Sequence, residues 1–322
     1  MSRTESIAGR RVLVIFPGAL GDLMCFLPAL AAISRRHRGA SIELMAHMEL
    51  ARLAAGRTVV TRAHSIDARE VGDLFTEEPP VNARRFFADF ERIYSFFASD
   101  DPRYRARLTA AADAQVSFHP FRPGGDGHVS AAYLRAIETD ETASPIESRL
   151  EPTPDDLAAA ARVMSQSNCD RSNLIAIFPG SGSPAKNWPA DKFAALASKL
   201  SVSNRASVAI ILGPAEASIE PIFRASGGAV LTHLELPTVA AIARLAQGFV
   251  GVDSGVSHLA AAAGASGVVI FGPTDPARWR PQPAGASAEI VVLRREPIDS
   301  LEVREVFGAL SEICGAASKI ID

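Results

Sequence analysis

The chain has 322 residues, 48% of them hydrophobic and 21% charged, and its 33 Lys and Arg against 36 Asp and Glu leave a formal net charge of -3. Such a composition excludes the disordered, fibrous and membrane-spanning classes, and the length allows two domains or one large α/β unit. Without a cationic surplus no nucleic acid is expected as a partner, and any anion must be bound locally.

Short aliphatic and β-branched runs bounded by turn residues alternate with longer helical patterns, which predicts a parallel-sheet α/β architecture. The first apolar run follows Arg10-Arg11 and reaches Ile33, but Pro17, Gly18, Gly21 and above all Asp22 interrupt it, so it reads as neither signal peptide nor membrane span. It divides into a strand over 11–16, a turn, and a helix to about His37. Further strands are expected over 41–45, 92–97 and 115–118, and in the second half over 173–178, 206–212, 229–232, 249–252, 268–271 and 290–293. Asp100-Asp101 before Pro102 reads as a helix start. So does 151–156, where Thr153 can cap, Pro154 suits the first turn and Asp155 and Asp156 favour the positive helix end. That helix runs over 155–166 into a polar stretch at 167–173. The domain boundary belongs here, giving Rossmann-like domains over 1–165 and 166–322, with the final helix able to pack back on the first. Both halves open alike, with Val14-Ile15-Phe16-Pro17-Gly18 and Ala176-Ile177-Phe178-Pro179-Gly180.

Cys25, Cys169 and Cys314 are odd in number, far apart and in no C-x-x-C spacing, which argues against a disulfide framework or a thiolate zinc site and fits a reducing cytoplasm.

The chemistry-bearing segments follow strands. Phe16-Pro17-Gly18-Ala19-Leu20-Gly21-Asp22 turns on two glycines and opens a helix. Ligands of open α/β sheets sit at the carboxyl ends of strands, so Asp22 stands at a binding edge, unless it merely caps the helix. The dinucleotide fingerprint G-x-G-x-x-G is absent, against a nicotinamide oxidoreductase. Segment 178–189 joins a Gly/Ser loop containing Ser181 and Gly182 to one lysine, Lys186, and a helix start at Pro189. Backbone amides, hydroxyls and an ammonium so close together make an anion cradle, though not a Walker loop; a solvated lysine is the other reading.

The strongest signal is Val250-Gly251-Val252-Asp253-Ser254-Gly255-Val256-Ser257-His258. A strand ends at Asp253, Ser254 caps, and the helix from Gly255 turns unpaired amides and its positive end toward the same edge, a seat for a diphosphate. His258 lies one turn inside, where a helix N-terminus disfavours its protonation; a packed neutral histidine is the alternative. The loop 271–281, with Thr274, Asp275, Arg278 and Arg280, lines that site or only pins the domain. In Leu212-Gly213-Pro214-Ala215-Glu216 the glutamate is placed for ribose hydroxyls.

Together these motifs, from G-x-x-G-D at 18–22 through Lys186, Glu216 and Asp253-Ser254-Gly255-x-x-His258 to Phe271-Gly272-Pro273-Thr274, resemble glycosyltransferase family 9, the lipopolysaccharide heptosyltransferase family. The resemblance extends over nearly the whole chain but is specific chiefly in its second half. It implies a GT-B fold, two Rossmann-like domains with parallel sheets facing a central cleft, the first holding the acceptor and the second the donor. It implies inverting, metal-independent transfer of a heptose or related sugar from an ADP-linked nucleotide-sugar to a hydroxyl of a glycan or glycolipid such as a lipopolysaccharide core. By position Asp22 would be the general base and Lys186 a donor-phosphate contact with a part in catalysis. Glu216 would meet the ribose, Asp253 would face the sugar, and Ser254, Gly255 and His258 would belong to the diphosphate side with Ser181 and Gly182. Leu236 and Pro237 fall where the family lines the adenine pocket.

No cofactor and no metal are expected: amides and an ammonium can take the leaving group's charge, and the seven histidines show no H-E-x-x-H spacing. For the acceptor the candidates are Gly18 with Arg62, Arg84 and Arg85; Arg57, Arg103, Arg105 and Arg107 are further cations, although arginines so spaced are more often solvated helix faces. Peripheral association with the inner face of the cytoplasmic membrane and the oligomeric state stay open. A nucleotide-sugar epimerase or hydrolase, or a non-catalytic nucleotide-sugar binding protein, are the competing functions on the same scaffold. The first needs several acid/base groups around the sugar; the second leaves Asp22 and Lys186 together without a purpose.

Overall fold

Parallel strands are covered by helices on both faces and therefore read as continuous apolar runs, and the central strands here do: LIAIF, GFVGV and GVVIF are buried at every position. The computed structural model describes residues 9–77, 81–137, 148–203 and 206–318. Contacts divide these into two units, one made of described residues within 1–19, 26–125 and 129–146, the other of those within 20–25, 126–128 and 147–322.

In the first unit β1 (Arg11–Ile15), β2 (Ser41–Ala46), β3 (Val60–Ser65), β4 (Arg92–Ser95) and β5 (Gln115–Phe118) form a parallel sheet in the order β3-β2-β1-β4-β5. Between them run α1 (Leu20–Arg36), whose opening residues Leu20–Cys25 count with the second unit, α2 (Met48–Ala54), α3 (Arg69–Gly72), α4 (Val81–Phe87) and α5 (Pro102–Ala111), with α6 (Val129–Ile137) after β5. Asp101 caps α5, accepting from the amides of Arg103 and Tyr104, as its place before Pro102 predicts. The expected strand over 92–97 stops at Ser95; Phe96 gives β1 one last hydrogen bond, its amide to the Ile15 carbonyl at 2.8 Å, and turns its ring into an aromatic cluster. There Phe16 stacks on Phe26 at 4.4 Å, and Phe96 meets Phe26 edge-on at 4.7 Å.

β3 is absent from the sequence expectations. Its stretch VTRAHS buries only Val60 and leaves Thr61 and Arg62 exposed, as an edge strand can, so it carries no apolar run to read. Its contribution is polar. Arg11 on β1 donates from Nε and Nη2 to the two carboxylate oxygens of Glu43 on β2, at 2.7 and 3.0 Å, and His64 Nε2 on β3 lies 2.6 Å from Glu43 Oε2. Burial works to raise the Glu43 pKa, but the hydrogen bonds from His64 and Arg11 outweigh it and hold the carboxyl at about 2.

A carboxyl held below its unfolded value stabilises the fold above that value and loses the contribution as pH falls toward its folded one. Glu43→Gln is accordingly expected to lower stability at neutral pH by about 2 kcal/mol, read as the urea midpoint. The gap to wild type should close between the ordinary carboxyl range and pH of about 2; a gap that does not change with pH would show that Glu43 is not ionised in the fold.

In the second unit the strands are β6 (Leu174–Phe178), β7 (Ser207–Leu212), β8 (Ala229–Thr232), β9 (Gly248–Val252), β10 (Gly267–Phe271) and β11 (Ile290–Arg294), all parallel, in the order β11-β10-β9-β6-β7-β8. The helices are α7 (Pro154–Gln166), α8 (Ala190–Ser203), α9 (Glu220–Arg224), α10 (Leu236–Leu245), α11 (Gly255–Ala262), α12 (Pro276–Trp279) and α13 (Val303–Ser318). Thr153 caps α7 in a reciprocal box with Asp156, so both aspartates there serve the helix. α7 packs on α10, and α13 on α8, β9 and β10. One core joins Ile175, Ile177, Val250, Val252, Val268 and Ile270 to Trp188 and Phe193.

Each sheet is a Rossmann-type doubly wound α/β sheet. In each, successive strands proceed outward to one side and the next begins on the other, so β1 and β4, and β6 and β9, are neighbours at the point where the winding reverses. Ligands of such sheets bind beyond the carboxyl ends of those two strands.

Candidate functional site

In the second unit the reversal point lies between the loops that follow Phe178 and Val252, and the two loops meet there. Lys186 Nζ, in a single 3₁₀ turn Pro184–Lys186, donates to Asp253 Oδ2 at 2.8 Å. Thr274 Oγ1, from the loop after β10, donates to the same oxygen at 2.6 Å. Asp253 is buried while Lys186 keeps about a third of its side chain in water, so the ammonium can turn to an incoming anion without leaving the carboxylate's field. The Thr274 hydroxyl and the Lys186 ammonium thus share one oxygen of the Asp253 carboxylate.

The loop after β6 is held from within. Ser181 Oγ lies 2.8 Å from the Ser183 carbonyl and 2.6 Å from Asn187 Oδ1, and it accepts from the Ser183 amide. Gly182 is exposed, with open space where a Cβ would stand. Beyond Lys186 the chain is anchored by Trp188, buried, whose Nε1 donates to the Leu301 carbonyl at 3.1 Å. Glu216 reaches back over this loop from the 3₁₀ turn after β7: its Oε2 accepts from the Gly213 amide at 2.8 Å, and a Cβ on Gly180 would fall 2.1 Å from its Oε1. Gly180 thus makes the room in which the glutamate sits beside the cradle. Leu236 and Pro237, half-buried, form the first turn of α10 after β8.

Ser254 caps α11 as expected, accepting from the Ser257 amide, and Ser257 Oγ donates to the Val252 carbonyl at 2.7 Å. A Cβ on Gly251 would lie 2.3 Å from that hydroxyl, which explains the glycine one strand residue before Val252. His258 is buried, and its pKa is lowered to about 4. The direction is the one the sequence predicts, but the chief cause is burial rather than the helix end. The positive fields of His128 and Lys186 act the same way, and the carboxylates of Asp253 and Asp22 oppose them.

Asp22 is buried in the first turn of α1, within the segment Leu20–Cys25 that belongs to this unit. Here α1 touches the start of α11. A Cβ on Gly21 would stand 3.5 Å from Gly255 Cα and from His258 Cδ2, and Cys25 Sγ lies 3.6 Å from His258 Nδ1. Lys186, Asp253, Ser254, Gly255, His258 and Asp22 are therefore one neighbourhood. The acceptor candidates lie in the first unit: Gly18 in the loop after β1, Arg62 on edge strand β3, and Arg84 and Arg85 exposed on α4. Three of the other arginines are engaged structurally, Arg57 with the Arg52 carbonyl, Arg105 over the Phe118 ring and Arg107 with the Leu74 carbonyl.

Sequence reasoning placed Gly180 and Asn187 in the 178–189 loop without a part of their own and gave Cys25 no place at the site. For Cys25 a signal existed: it stands three residues after Asp22, on the same face of a helix. Among the described residues, no three His, Cys, Asp or Glu side chains are grouped to hold a metal ion, and no helix is long and apolar enough to cross a membrane.

The family model of glycosyltransferase family 9 (heptosyltransferase) matches residues 131–310. No curated protein matches the chain. Among solved structures, a glycosyl transferase family 9 protein from Veillonella parvula DSM 2008 superposes with a TM-score of 0.80 at 17% identity, over 95% of this chain and 97% of that one. The E. coli ADP-heptose lps heptosyltransferase II gives 0.75 at 17% identity over 96% and 99%. E. coli heptosyltransferase WaaC with ADP gives 0.69 at 18% identity over 94% and 99%. At these identities the superpositions speak for the fold. The family match spans more than half of the sequence, including Lys186, Glu216 and the 253–258 segment, and the chain is a member of glycosyltransferase family 9, a glycosyltransferase.

Proposed function

We propose that this chain is an inverting, metal-independent transferase that moves a heptose or related sugar from an ADP-linked donor to a hydroxyl of a glycan or glycolipid, such as a lipopolysaccharide core. The observation that carries the reading is the Lys186–Asp253 pair, set where the second sheet reverses its winding, beside the amide end of α11 and the buried Asp22. Similar folds are described as an ADP-heptose heptosyltransferase and as a heptosyltransferase holding ADP or ADP-2-deoxy-2-fluoro heptose, which supports the donor class.

In this scheme the second domain holds the donor and the first the acceptor. The diphosphate lies against the amides of Ser254 and Gly255 and the loop of Ser181 and Gly182, with Lys186 as its counter-charge. Glu216 accepts from the ribose hydroxyls, Leu236 and Pro237 flank the adenine, and Asp253 faces the sugar. As the acceptor hydroxyl attacks the anomeric carbon, Asp22 takes its proton. The bond from that carbon to the diphosphate oxygen breaks on the opposite face, inverting the centre. Negative charge grows on the leaving nucleoside diphosphate, where preorganised amides and an ammonium stabilise it most in the transition state. His258, uncharged at neutral pH, adds packing there.

A panel of nucleotide-sugars screened by thermal shift tests the donor class, because a ligand bound only by the folded state raises the melting temperature. ADP-sugars should raise it and UDP- or GDP-sugars should not; a shift with UDP-sugars alone would refute the adenine pocket. Transfer from the stabilising donor should continue in EDTA, and loss of activity restored by a divalent ion would refute the metal-free scheme.

A further inference from the structure

We infer that Cys25 and His258 are positioning residues for Asp22: together they dock the opening residues of α1 onto the start of α11 and so hold the carboxylate at the donor site. The inference rests on the role of Asp22 given above. Backbone approaches backbone here as glycine permits. A Cβ on Gly255 would stand 3.0 Å from Leu20 Cβ and 3.1 Å from the Gly21 amide nitrogen, and one on Gly21 would stand 3.5 Å from Gly255 Cα. His258 fills the remaining corner, its Cδ2 3.5 Å from that same Gly21 position and its Nδ1 3.6 Å from Cys25 Sγ.

Asp22 and Cys25, three residues apart, share one face of α1, so whatever fixes the thiol fixes the carboxylate. All three side chains are buried, at 7% exposure for Asp22, 3% for Cys25 and 6% for His258. A thiol is a small group with weak hydrogen-bonding power, suited to packing an imidazole edge without displacing it. The segment Leu20–Cys25 groups by its contacts with residues 147–322, although the rest of α1 does not. The base is thus carried on the donor unit, and its register against the 253–258 segment depends on this contact.

The test uses the full-length protein with Cys25→Ala, Cys25→Ser and His258→Gln. Turnover is measured with ADP-heptose, affinity by calorimetry with ADP, and hydrogen exchange at amides 20–25 and 255–262. Cys25→Ala should lower kcat about tenfold, as small misplacements of a reacting group do, while donor KM and ADP affinity stay within about twofold. Cys25→Ser, which keeps a hydrogen-bonding group, should recover most of the loss, and His258→Gln should show the same split with a larger fall in kcat. Amides 20–25 should exchange faster in Cys25→Ala and His258→Gln while those of α11 do not. ADP affinity lost with kcat kept in His258→Gln would overturn the inference, since that is the mark of a donor contact; so would unchanged exchange at 20–25. If wild type neither binds ADP nor uses ADP-heptose, the donor reading fails by itself, and exchange at 20–25 still decides the positioning role. If Cys25→Ala does not fold, His258→Gln against wild type and the near-wild-type Cys25→Ser carries the comparison.

Discussion

Asp22→Asn is expected to reduce sugar transfer at least about a hundredfold while donor affinity changes no more than a few fold, because general-base catalysis acts in the transition state and contributes little to ground-state binding. The substitution preserves shape, so the contact of Gly21 with Gly255 should survive it. An amide at this position can accept a hydrogen bond from the acceptor hydroxyl but cannot take its proton. Steady-state kinetics with saturating acceptor, beside calorimetry with ADP, separate the two effects. Turnover equal to wild type would remove Asp22 from the chemistry; a parallel loss of ADP affinity would make it a donor-site residue instead.

Lys186→Ala should weaken ADP binding at least about tenfold and lower kcat by a further tenfold or more, since the ammonium meets charge that is present in the ground state and grows as the leaving group departs. It should also cost about 1 kcal/mol of stability. Asp253 is buried and keeps the Thr274 hydroxyl, but the partial exposure of Lys186 discounts what the pair contributes. Arginine is a poor replacement, because its longer planar fork cannot occupy the place of a compact ammonium between a carboxylate and a phosphate. Equal donor affinity in Lys186→Ala, by calorimetry, would refute the cradle.

The residues that announce this site in the sequence do so through local rules. Asp253-Ser254-Gly255 was legible because a strand end, a cap and a helix start are written in consecutive residues, and Ser254 does cap. The strands of the second sheet were legible because both their faces are buried, leaving unbroken apolar runs. β3 was not, since an edge strand can expose Thr61 and Arg62 and keep only Val60 buried. The Glu43 network was not, because its three members stand on three strands and only register brings them together. Nor was the pairing of Lys186 with Asp253, which are 67 residues apart in sequence; the sheet order alone makes their loops neighbours. For His258 the sequence supplied the direction of the pKa shift but not its main cause, which depends on how much protein surrounds the ring.

The central claim is that a nucleoside diphosphate seats where the strand order of the second sheet reverses. Hydrogen exchange of the full-length chain with and without saturating ADP tests it most directly. Slowed exchange is predicted at the amides of 180–187, 213–216 and 253–258, with the sheet strands unaffected. Protection confined to other segments, or none at ADP concentrations that saturate a calorimetric titration, would contradict it.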